Sequence, residues 1–183
     1  MSRHIAVTAA LIVGLTGCGE GEDPVRPSPT STPSSAQTSS GANGENAEAG
    51  VGALAAYQNY VRTYVAASNK GDYNAKLDKF VADPALLTVR QDLLIKFQQG
   101  LVTRGQPISA PTLNKVDAAQ RPFTAEVEDC FDTGKWDVVS KKTGKSVRTT
   151  GQATRYVVIA KAELFDDGQW RIREVSAQRE RPC

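Results

Sequence analysis

Four carboxylates crowd the segment "FTAEVEDCFD": Glu126, Glu128, Asp129 and Asp132. Acids this close together are candidates for general acid and base work, provided one of them is held away from water. The segment alternates as a strand does, which puts Ala125, Val127 and Phe131 on one face and Glu126, Glu128 and Asp132 on the other, toward solvent. Acids on that outer face serve chiefly to discourage unwanted strand pairing. Asp129 alone shares the apolar face, so it is the acid placed to meet a cavity.

A second group with chemistry is the run of tyrosines in "YQNYVRTYVAASNKGDY". Tyr57 and Tyr64 lie two helical turns apart on one face, and a ring with a polar tip suits either helix-to-sheet packing or the wall of a half-open cavity. Tyr57, Tyr64, Phe97, Asp129, Phe131 and Tyr156 are the candidate lining of such a cavity. His4 is the single histidine and belongs to the N-terminal segment, so the rest of the chain has no Ser-His-Asp or Cys-His mechanism and lacks the commonest transition-metal ligand. There is no CxxC pair, Gly-rich phosphate loop or calcium-loop pattern. The triplet Lys142-Thr143-Gly144 resembles a penicillin-binding motif but has no accompanying Ser-x-x-Lys. No metal or other cofactor is expected.

The stretch "SKKTGKSVRTTGQATR" carries Lys141, Lys142, Lys145 and Arg148 without an acid. It reads either as a solvated hairpin end or as a contact for anionic lipid heads or wall polymers, where each nearby charge is worth about 1 kcal/mol. With no aromatics interleaved for base stacking, nucleic acid is not an expected partner.

The N-terminus sets the compartment. Arg3 and His4 precede an apolar run from Ile5 to Leu15, which has the length of a secretory h-region and is too short to span a bilayer. Leu15-Thr16-Gly17-Cys18 closes that run and resembles the lipobox of bacterial lipoproteins. The resemblance implies a signal peptide over 1–17, a diacylglyceryl group on Cys18 and a chain held at the extracytoplasmic face of the cell membrane, since two acyl chains anchor stably. Once Cys18 carries lipid, Cys130 and Cys183 remain as a pair in an oxidising compartment, with free thiols or an intermolecular bond as the alternatives. A bridge closing about 50 residues contributes roughly 4 kcal/mol on the chain-entropy model. Residues 18–50, rich in Gly, Ser, Pro and Glu, read as a disordered tether with a reach of about 30 Å.

The elements that must position these groups lie in 51–183, which has the size of a single domain. Leu54, Tyr57, Val61, Tyr64 and Ser68 predict a first helix that stops at Gly71. Asp72 opens a short second helix with Leu77, Phe80 and Val81. Asp83-Pro84 starts a third, with Leu87, Leu94, Phe97 and Leu101 along one face. After Gly105 the period shortens to that of strands. Ile108 to Asp117 reads as an edge strand because of Pro111, "FTAEVEDCFD" follows, and Trp136 to Val139 continues past a bend at Thr133-Gly134. "RYVVIAKAELFDDGQWRIREVSAQ" is a hairpin turning at Asp167-Gly168. The expectation is an α+β domain, three helices on a curved, mostly antiparallel sheet of about four strands.

"YQNYVRTYVAASNKGDY", "VEDCFDTGKWDVV" and "VVIAKAELFDDGQWRIREV" together resemble the nuclear transport factor 2-like superfamily, with its ketosteroid-isomerase-like and SnoaL-like proteins, and especially small secreted or lipidated members from actinobacteria. The resemblance implies a cone-shaped fold. It also implies a domain that binds a small apolar ligand or docks an envelope protein or a second copy of itself, without catalysis. An alternative within the same superfamily is an enzyme in which a cavity carboxylate and a tyrosine move a proton on a small apolar substrate.

Overall fold

The computed structural model describes residues 39–183, with side chains from residue 44 onward. The stretch read as a signal peptide, Cys18 and most of the stretch read as a tether lie outside the described residues.

Helix α1 spans Ser39–Lys70 and therefore begins inside the stretch read as tether. The reason is docking. Ala49 is buried, and the Asn46 side-chain oxygen accepts the Ala118 backbone N–H at 3.1 Å. At Gly52 a Cβ would come within 2.5 Å of the Trp170 ring, so the helix lies closer to the sheet than any side chain there would allow. The helix ends as expected at Gly71, which takes a φ of 72°. Gly71 N–H donates to the Ser68 carbonyl at 3.3 Å and Asp72 N–H to Ala67 at 2.9 Å, the paired bonds of a Schellman end.

The short second helix does not form. Residues 71–84 run in turns, with Leu77 and Val81 fully buried. Their backbone is claimed by the sheet edge instead: Ile172 N–H donates to Phe80 at 2.8 Å and Ala82 N–H to Ile172 at 2.9 Å. Helix α2, Ala85–Gln98, follows a cis Asp83-Pro84 peptide and has no side-chain cap at its start. It buries Ala85, Leu86, Val89 and Leu93, whereas the face expected to pack, Leu87, Leu94 and Phe97, is exposed. Gly100, at a φ of 64°, then turns the chain into a strand where the helix was expected to run on to Leu101.

Six strands follow rather than four: β1 (Leu101–Gly105), β2 (Ile108–Asp117), β3 (Thr124–Asp132), β4 (Trp136–Ser140), β5 (Arg155–Leu164) and β6 (Trp170–Gln178). They form an antiparallel ladder β1-β4 and a four-stranded antiparallel sheet in the order β2-β3-β5-β6. Strand β2 is an edge, as Pro111 requires, and β4 pairs with β1 rather than extending the larger sheet. The Asp167-Gly168 turn is present, with Gly168 at a φ of 75°. The domain is thus α+β, with α1 packed on antiparallel sheets. Tyr57, Ala53 and Tyr60 of α1 share a core with Ala125, Val127, Ala160, Ala162 and Ile172, and the small sheet residues let the helix approach.

Cys130 and Cys183 are bonded, with Cα atoms 5.7 Å apart. Cys130 is on the outer face of β3 beside Val157 of β5, and the bridge pulls the C-terminal segment across that face. Val157 N–H donates to the Arg181 carbonyl at 2.9 Å, and Arg181 reaches Glu128 at 3.5 Å.

Candidate functional site

The period-two reading of β3 holds at Asp129, whose side chain is 0% exposed while its neighbours on either side face outward. Its carboxylate accepts three bonds: from Tyr57 OH at 2.8 Å, Ser109 Oγ at 2.6 Å and Ala110 N–H at 2.6 Å. Both oxygens are engaged. Burial comes first and the Asp129 charge second in raising the Tyr57 hydroxyl far above its ordinary value of 10.0, so it remains a donor. The arrangement is a closed strut between α1, β2 and β3, and Asp129 does not line the cleft beside it.

That cleft has a volume of about 570 Å³. Its wall is a chain of rings, Tyr57 to Tyr60 to Tyr64 to Trp136 to Phe131 to Tyr156, with successive centroids 5.9 to 6.3 Å apart. Helix α1 supplies the three tyrosines at helical spacing, and β3, β4 and β5 supply the other three rings. Tyr57, Tyr64, Phe131 and Tyr156 are therefore brought together as the sequence suggested. Phe97 is not among them: it is 47% exposed and packs on Tyr73, centroids 4.5 Å apart, because α2 turns its other face inward.

At the α2 side of the cleft, Asp92 accepts Tyr64 OH at 2.5 Å and pairs with Lys96, whose Nζ also donates to Tyr64 OH at 2.9 Å. Burial, then the Asp92 charge, raises the Tyr64 hydroxyl well above the ordinary range, and the same two causes act on Tyr60. Sequence reasoning missed Asp92, Lys96, Tyr60 and Trp136 as lining. The first two carry a visible signal, an acid-base pair at i and i+4 that only a correct choice of α2 face makes useful.

The basic loop divides. Lys141, Lys142 and Lys145 are exposed between β4 and β5. Arg148 is spent internally: it pairs with Asp137 at 3.1 Å and donates to the carbonyls of Thr133 and Trp136, each at 2.8 Å. These bonds hold the turn before β4 and remove Arg148 from the surface contact expected of it. Among the described residues no acidic or histidine-cysteine group is arranged to hold a metal ion, and no helix is long and apolar enough to cross a membrane.

Fold and cleft together define an α+β protein in which a long helix packs on antiparallel sheets beside an aromatic cavity. A solved structure similar to it is the intermembrane space region of the chloroplast protein ARC6, at 14% identity and a TM-score of 0.50, covering 70% of this chain and 95% of that one. The likeness is one of fold. No protein-family model matches the chain. No curated protein matches it either.

Proposed function

We propose that the chain is a lipoprotein anchored through Cys18 at the extracytoplasmic face of the cell membrane, whose α+β domain is a non-catalytic binding module of the nuclear transport factor 2-like kind. The cleft receives a small, largely apolar molecule. The observation that carries this reading is the six-ring wall around a cavity of about 570 Å³, a size and lining suited to small ligands. Lys141, Lys142 and Lys145 are free to rest on anionic headgroups or wall polymers.

The Tyr57-Asp129 contact favours a second reading, proton transfer by a carboxylate beside a tyrosine. Three donors already occupy that carboxylate and no part of it faces the cleft, which ranks the enzyme below the binding module. Fold does not choose between them, because one architecture hosts unrelated activities.

The anchor is tested by Cys18→Ser, which abolishes incorporation of labelled palmitate if the lipid is carried on Cys18. The cleft is tested with the neutral probe N-phenyl-1-naphthylamine. Saturable binding that disappears in Ala177→Trp, where an exposed position on the lining is plugged, supports the module. Binding that survives the plug shows that the probe sits outside the cleft.

A further inference from the structure

The charges around the cleft are uneven. Lys96 is neutralised by Asp92, and Arg148 by Asp137. Arg179, just beyond β6, also lines the cleft, yet among the described residues it has no carboxylate within ion-pair distance. Its guanidinium lies over the Tyr156 ring, 4.5 Å from the centroid. A planar cation stacked on an aromatic face keeps its N–H edge free to meet an anion.

The C-terminal segment is pinned in that place. The Cys130-Cys183 bridge and the Val157 to Arg181 bond tie down residues on the far side of Arg179, and the Val157-Gln178 register of β5 and β6 fixes the near side. The backbone of Arg179 is therefore held by covalent and backbone constraints on both sides, and its guanidinium rests on the Tyr156 face. Lys96 meanwhile sits 5.2 Å from the centre of the Tyr64 ring. Two of the aromatic faces already carry the protein's own cations, which argues against a cationic guest and for an anionic one.

We propose that the cleft selects a ligand with a flat, ring-bearing apolar body and one anionic head, the rings holding the body and Arg179 the head. This rests on the reading of the cleft as a ligand site and adds the class of ligand.

The test uses the full chain carrying Cys18→Ser, with its disulfide formed, and two probes that share the anilinonaphthalene body: 1-anilinonaphthalene-8-sulfonate and neutral N-phenyl-1-naphthylamine. The expected result is binding of both, with the sulfonate about tenfold tighter, as one charge-assisted contact implies. Arg179→Gln should bring the ratio of the two affinities to about one; Arg179 is exposed, so the variant keeps the core. Displacement by 2-naphthoate should exceed displacement by decanoate. Equal affinity for the two probes, or a preference that persists in Arg179→Gln, overturns the anionic head with the cleft intact. Stronger displacement by decanoate overturns the ring-bearing body. Binding of neither probe overturns the underlying reading of the cleft itself.

Discussion

Helix α1 supplies the tyrosines of two tyrosine-aspartate pairs, which differ in the solvent access and the other partners of the aspartate. Tyr57 donates to Asp129 in a site with no solvent access, where Ser109 and a backbone N–H complete the carboxylate's partners. Two turns along, Tyr64 donates to Asp92, whose side chain is 42% exposed and whose other partner is the Lys96 ammonium. The first pair is anchored by strands β2 and β3, the second by one helix at the lip of a cleft. The comparison teaches that a tyrosine beside a carboxylate is not yet a catalytic device. Access and the number of competing donors decide whether the pair holds a fold together or meets a ligand.

Alkali acts on both pairs at once and should give the largest effect. Tyr57, Tyr60 and Tyr64 all have folded values raised above the unfolded value of 10.0. Their contribution is whole below about pH 10 and is lost as pH climbs beyond it, since the unfolded state then releases protons that the folded state keeps. Melting followed between pH 8 and 11 should show a steep fall above pH 10, and tyrosinate absorbance from these three should appear only with unfolding.

Breaking the bridge comes next. Cys130 sits on the same strand as Asp129, and opening a bridge of sequence separation 53 should cost about 4 kcal/mol on the chain-entropy model. Denaturant unfolding of Cys130→Ser, or of the wild type with reductant, measures it. Identical curves would show that the bridge adds nothing to stability.

The two pairs are then separated directly. Asp129→Asn places an amide against three donors and should lose about 2 to 3 kcal/mol. Tyr57→Phe removes one donor and should lose about 1 to 2 kcal/mol. Asp92→Asn, at a part-exposed ion pair, should change stability by less than about 1 kcal/mol. Similar losses for Asp129→Asn and Asp92→Asn would erase the distinction between the two pairs.

Much of the fold is legible in the sequence wherever a local period meets a single tertiary surface. Alternation in β3 places Asp129 inward because one sheet face is covered by α1, and the helix over Tyr57 and Tyr64 stops at Gly71 because only its left-handed backbone closes that end. Other features depended on partners distant in sequence. Residues 71–84 carry helix-like spacing, yet their backbone bonds to β6 around Ile172. Helix α2 has apolar residues on every side, Leu86 and Val89 as well as Leu87 and Leu94, so its pattern does not say which face turns inward. That ambiguity cost Phe97 its place in the cleft and hid Asp92 and Lys96. Arg179 had no local signal at all, since its location follows from the bridge that brings the C-terminal segment back to β3 and β5.

The proposed division puts stability at Asp129 and binding in the cleft. It is tested most directly by titrating N-phenyl-1-naphthylamine into Asp129→Asn and Ala177→Trp side by side, each with its melting curve. Asp129→Asn should melt lower but bind the probe as the wild type does, whereas Ala177→Trp should melt normally and no longer bind. An Asp129→Asn protein that keeps its melting temperature and loses the probe would contradict it.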